Sequence, residues 1–142
     1  MVSLNEARRS HSSCILGSKI FVFGGRVGEG IFLDSIESLD LSFNQVWQLF
    51  RVQTFTPRCA AAVCAFSPTQ IVIIGGEYFN GCYHSDVIVY NDKERSALQV
   101  AEAGFSFQCW SQTMTDGSGT VYSLVDPSQG NRCLIRYTAS DN

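Results

Sequence analysis

Apolar positions in this chain fall into short runs broken by glycine, proline and small polar residues. Ser10 to Leu16, Lys19 to Phe23, Ser35 to Leu41 and Val46 to Phe50 read as four successive strands. Lys19 to Phe23 is apolar on both faces, as a strand covered on both sides must be. Ser35 to Leu41 alternates, with Ile36 and Leu39 apolar, Glu37 polar and Ser38 small. Gly17-Ser18 and Ser42-Phe43-Asn44-Gln45 supply turns, and a loop over Arg26 to Asp34 follows Gly24-Gly25. A second set repeats the plan: Cys59 to Phe66, Gln70 to Ile74, Asp86 to Tyr90 and a weaker Ser96 to Val100. Here Ser67-Pro68-Thr69 and Asn91 to Glu94 turn, and a loop over Glu77 to Ser85 follows Gly75-Gly76. A third set is shorter, with strands expected over Phe107 to Thr115, Thr120 to Leu124 and Cys133 to Tyr137. Asp116-Gly117-Ser118-Gly119 is its turn, Val125-Asp126 stands where the glycine pair stood, and no fourth strand follows. Helical periodicity is absent; only Asn5 to Arg9 and Asp92 to Val100 could each form a turn of helix.

The first two sets share one register. A shift of 51 residues carries Ile20 to Gly25 onto Ile71 to Gly76, Ile36 onto Val87, Leu39 onto Tyr90 and Trp47 onto Leu98. A repeat of about 50 residues marks a propeller or solenoid rather than a single-core domain. Each unit is a small sheet that buries its faces only against its neighbours, so function falls to the connecting loops. Glycines at the end of an inner strand tolerate positive φ and let another segment approach closely.

These features resemble kelch repeats. They are Gly24-Gly25 and Gly75-Gly76 after apolar strands, the third strands with Leu39 and Tyr90, Trp47 in the fourth strand, and Arg9 and Arg58 opening the units. His11 lies two residues after Arg9. The match is fullest from Arg9 to Trp47; the second unit has Leu98 in place of Trp, and the third keeps strand pattern and Tyr137. No Trp-Asp dipeptide supports the WD40 alternative. The resemblance implies an all-β, kelch-like β-propeller segment of about three four-stranded antiparallel blades, spanning 9–50, 58–100 and 105–138. Trp47 is expected to cover the flank of its sheet and bury a large area between blades. Arg9 and Arg58 are expected to bond backbone carbonyls or charges of an adjacent blade, with a pore-facing ligand role as the alternative. Propellers close with about four to eight blades, so three leave open edges and bare apolar faces. The expectation is a segment of a longer ring, or an assembly in which a second copy or a partner subunit completes it.

Composition narrows the function. The chain has 142 residues, 45% of them apolar and ten of them Phe, sufficient for a packed core. Charged residues are 16% and the net charge is −3, so no basic stripe invites nucleic acid. No apolar run approaches the length of about 18 residues that a membrane span requires, and Met1 to Arg9 lacks the apolar centre of a secretory signal. The expected compartment is the cytoplasm, and the resemblance extends it to cytoskeletal, ciliary and ubiquitin-ligase adaptor settings. Six cysteines, at 14, 59, 64, 82, 109 and 133, form no C-x-x-C pair. They are read as reduced, mostly packed thiols. No metal or other cofactor is expected.

Candidate chemistry is sparse. His11 and His84 share no motif, and Ser, His84 and Asp86 lack a G-x-S-x-G elbow. Gly24 to Gly30 lacks the G-K-[ST] of a phosphate loop. The loops after the glycine pairs carry the binding candidates: Arg26, Glu29 and Phe32 in the first, and Tyr78, Phe79, Asn80, Tyr83 and His84 in the second. Exposed aromatics beside arginine are what protein-binding hot spots use. The alternative for Tyr78, Phe79 and Tyr83 is local packing on the blade edge. Trp110 with Phe105 or Phe107 is read as core of the third unit. The leading expectation is a noncatalytic protein-interaction or scaffold module in a larger complex; the alternative is a propeller enzyme or a small-ligand or glycan binder.

Overall fold

The structure, a computed structural model, describes residues 2–43, 45–102, 107–108, 113–127 and 133–138. The first set of strands is β1 (Ser12–Leu16), β2 (Lys19–Phe23), β3 (Arg26–Val27), β4 (Ile31–Phe32), β5 (Ser35–Asp40) and β6 (Gln48–Arg51). The second is β7 (Ala62–Ala65), β8 (Gln70–Ile74), β9 (Glu77–Phe79), β10 (Cys82–Tyr83), β11 (Asp86–Asn91) and β12 (Ser96–Glu102). The third is β13 (Phe107–Gln108), β14 (Thr113–Thr115), β15 (Thr120–Pro127) and β16 (Cys133–Thr138). No helix occurs among the described residues. The first blade is an antiparallel sheet in the order β1-β2-β5-β6, and the second repeats it as β7-β8-β11-β12. In the third, β13 and β14 both pair with β15, and β15 pairs with β16. The three blades form an open array, with β7 beside β1 on one side and β14 on the other.

The core follows from strand alternation. In β8 and β11, Ile71, Ile73, Ile88 and Tyr90 turn to the first blade and meet Phe21, Phe23, Ile36, Val52 and Phe55. Val72, Ile74 and Val87 turn the other way and meet Val121, with Ile135 and Tyr137 packed at the margin. The central strand of the middle blade is therefore apolar on both faces because it is covered on both. Aromatic rings knit the first seam: Tyr90 lies 5.8 Å from Phe21 and from Phe23, and 6.2 Å from Phe50. Such tilted and edge-on pairs add to burial alone.

Polar bonds close the same seam. The Arg58 backbone N–H donates to Leu33 O at 3.1 Å, and the Gly25 N–H donates to Arg58 O at 2.8 Å. Ala60 N–H donates to Ser10 O at 2.7 Å, and the Ser12 hydroxyl to Ala61 O at 2.5 Å. Gly24 has φ 55° and Gly75 φ 60°. A Cβ on Gly24 would overlap the Arg58 carbonyl oxygen, so the close approach of the two blades demands glycine there.

Several expectations change. The stretches after the glycine pairs are not plain loops: each folds into a two-stranded hairpin, β3–β4 and β9–β10. Their ends are clamped by backbone bonds, Leu33 N–H to Gly25 O at 2.9 Å and His84 N–H to Gly76 O at 2.8 Å. Val125-Asp126 sits within β15 rather than replacing a glycine bend. Ser96 to Val100 lies in a strand, which excludes the helical turn across Asp92 to Val100. Trp47 precedes β6, is half-buried, and is not in the buried cluster between blades. Phe50 fills that role, because it pairs with Ile36 and so shares its face. Phe105, Cys109 and Trp110 lie outside the described residues.

Candidate protein-binding surface

The blade arginines organise everything around the glycine pairs. Arg58 is 1% exposed. Its Nη1 donates to Gly75 O at 2.9 Å and to Asp86 Oδ1 at 2.7 Å, its Nη2 to Asp86 Oδ2 at 2.8 Å, and its Nε to Thr56 O at 3.2 Å. This bidentate grip ties the end of β8 to the start of β11. In the first blade the same work falls to Arg8, not Arg9. Arg8 Nη1 donates to Gly24 O at 2.6 Å, Nη2 to Glu37 Oε1 at 2.6 Å, and Nε to Glu6 O at 3.4 Å. Arg9 instead sends Nη2 to Gly28 O at 2.9 Å on the exposed hairpin. The physical reason is spacing: ahead of the inner strands the register shift is 50 residues, and from the glycine pairs onward it is 51. Thus β1 starts at Ser12 opposite Phe23, and β7 at Ala62 opposite Ile74.

The carboxylate that Arg8 holds is itself encased. Glu37 is buried, yet its pKa lies below the usual carboxylate value. Burial alone would raise it, but hydrogen bonds from the Asn5 and Glu6 backbone, the Asn5 amide and Arg8 outweigh that. The N-terminal segment is thereby strapped to the outer face of the first blade.

The binding candidates fall on two separate hairpins. On β3–β4, Arg26 is half-buried and its Nε has no partner among the described residues. Glu29 is exposed in the turn, and Phe32 is half-buried opposite Arg26. On β9–β10, Tyr78 is 45% and Phe79 59% exposed, Asn80 is exposed in the turn, and Tyr83 and His84 are half-buried. On this second hairpin Tyr78, Tyr83 and His84 come together. They line an open cleft of about 360 Å³ with Thr56, Ser85, Asp86, Gln99 and Glu102. The Tyr78 and His84 rings stand 4.6 Å apart. His84 Nε2 lies 3.2 Å from Pro57 O. Burial, and next the Arg58 charge, hold His84 below its ordinary pKa, so it is neutral near pH 7. Phe79 and Asn80 stay outside the cleft. Sequence reasoning missed Gln99 and Glu102 as neighbours of this hairpin; they arrive because β12 pairs with β11, Glu102 standing opposite Asp86.

The Ser, His84 and Asp86 grouping does not assemble as a relay among the described residues. Both Asp86 oxygens accept from Arg58, and the His84 ring nitrogen faces a backbone carbonyl. No cluster of three or more metal-ligating side chains occurs among the described residues. No helix there is long and apolar enough to cross a membrane.

A comparison with curated proteins finds no match. A family model, that of the kelch motif, matches residues 7–47. The matched span runs from just ahead of Arg8, through Gly24-Gly25, to Trp47 at the foot of β6. Kelch repeats typically serve as noncatalytic interaction modules of propeller type. The first blade thus matches the kelch motif, and it opens an all-β array of antiparallel sheets similar to the blades of kelch propellers.

Proposed function

We propose that the chain is a noncatalytic protein-interaction and scaffold module whose hairpins after the glycine pairs meet a protein partner in a cytoplasmic complex. The observation that carries this reading is the hairpin β9–β10. It displays Tyr78 and Phe79, 45% and 59% exposed, on a base clamped by the buried Arg58. Large amphipathic rings on a rigid mount contribute contact area at little cost in conformational entropy. Arg26, Glu29 and Phe32 on the hairpin of the first blade are a second candidate contact. The outer faces of the first and third blades pair with further blades, a second copy or a partner subunit. Met114, Leu124 and Leu134, each more than half exposed on the third blade, support that part.

The test is a capture comparison between the natural chain and a Tyr78→Ala, Phe79→Ala double variant of equal melting temperature. The reading expects specific partners to be lost from the variant. Identical captured sets would overturn the role of this surface.

A further inference from the structure

The two blades carry the same niche with opposite fillings. At the end of β6, Arg51 stands opposite Ser35. Its Nε donates to Asp34 Oδ1 at 2.8 Å and its Nη2 to Glu6 Oε1 at 2.8 Å. The first blade therefore fills this niche with its own guanidinium between two carboxylates. In the second blade the corresponding positions are Glu102 for Arg51, Ser85 for Asp34, Asp86 for Ser35 and Thr56 for Glu6. The cation is gone and a carboxylate has taken its place. What remains is the open cleft of about 360 Å³, walled by Tyr78, Tyr83 and His84.

We propose that this cleft receives an arginine side chain of a partner protein, its guanidinium bonding Glu102 and lying against the Tyr78 and Tyr83 rings. The proposal rests on the interaction-module reading above and specifies the partner's chemistry at that surface.

Three physical arguments support it. A planar guanidinium matches a carboxylate fork and stacks on aromatic faces better than an ammonium does. The local cation, Arg58, is already spent on Asp86, so Glu102 sets the remaining charge of the cleft. The Glu102 carboxylate is also oriented, since its Oε1 accepts from Gln99 Nε2 at 3.1 Å.

The test titrates the full chain, labelled with nitrogen-15, with N-acetyl-arginine amide, and follows backbone amide shifts. Norleucine amide and N-acetyl-lysine amide serve as controls. Saturable shifts are expected at Tyr78 to Asp86 and Gln99 to Glu102, with none in β1, β2 or β5. Glu102→Gln should weaken binding about tenfold, the loss of one charge-assisted contact. Glu102→Arg should abolish it. Both variants alter an exposed strand end, and the unshifted spectrum of the first blade reports that they fold. The lack of a saturable shift, shifts elsewhere, equal response to norleucine or lysine amide, or an unchanged Glu102→Gln titration would each overturn the proposal. Partner capture that is lost on Tyr78→Ala, Phe79→Ala but unaffected by Glu102→Gln would sink this inference and leave the interaction-module reading standing.

Discussion

Arg8 and Arg58 do the same job 50 residues apart. Each donates Nη1 to the carbonyl of the first glycine in its pair, at 2.6 Å and 2.9 Å, and each grips an acid on the neighbouring strand. The acids differ: Glu37 lies mid-strand in β5, while Asp86 opens β11. The bond is conserved between blades in its geometry rather than in its residue positions.

Removing Arg58 leaves Asp86 and the Gly75 carbonyl inside the seam without their cation. Arg58→Ala should therefore cost about 3–5 kcal/mol in denaturant unfolding. Arg8→Ala should fall in the same class. Arg9→Ala, which loses one exposed contact to Gly28 O, should stay within about 0.5 kcal/mol. A large loss at Arg9 with a small one at Arg8 would contradict the assignment.

Gly24 and Gly17 separate two costs of adding a side chain. Both have positive φ, 55° and 59°. Nothing stands near Gly17, so Gly17→Ala should cost about 1–2 kcal/mol, the left-handed penalty alone. A methyl on Gly24 also meets the Arg58 carbonyl, so Gly24→Ala should cost clearly more and loosen the bond from Gly25 N–H. Unfolding midpoints of the two variants decide this.

Acid should destabilise the fold through two groups. The folded pKa of Glu37 is depressed below 4.5, so its contribution is present above that value and is lost as pH falls through the folded pKa. His84 is depressed below 6.5, so the unfolded chain takes up its proton first and stability also drops as pH falls below that value. Stability measured from pH 7 to 3 should decline in two stages, and His84→Gln should remove the upper one. A flat profile between pH 7 and 5 would contradict the reading of His84.

The cysteines should differ sharply in reactivity. Burial, with the neighbouring Cys64, pushes Cys14 up to about 12, and burial pushes Cys59 up to about 11. Cys82 is exposed on β10. Alkylation of the native chain at pH 7.5, read by peptide mass, should mark Cys82 well before Cys14 or Cys59.

The outer face of the third blade should drive association. Met114, Leu124 and Leu134 are 59%, 53% and 62% exposed, and Leu124 pairs with Leu134 across β15 and β16. Native mass should rise with concentration, and Leu124→Lys with Leu134→Lys should hold the chain at monomer mass without lowering its melting temperature. A monomer at all concentrations before substitution would show that this face needs no cover.

The sequence by itself determined the repeat, the main strands of the first two blades and the glycine bends that follow Phe23 and Ile74. Those depend on local rules: two-residue alternation, glycine at positive φ, and a shared register. Lys19–Phe23 and Gln70–Ile74 are legible to the residue for that reason. Tertiary structure alone decided which arginine acts, because a one-residue difference ahead of β1 moves the guanidinium from Arg9 to Arg8 without changing the composition. It also decided that Phe50 rather than Trp47 fills the first seam, since side-chain parity depends on where pairing with Ile36 begins. The cleft at Glu102 was likewise invisible in the chain. It unites residues from a linker, a hairpin and an outer strand that only sheet pairing brings together.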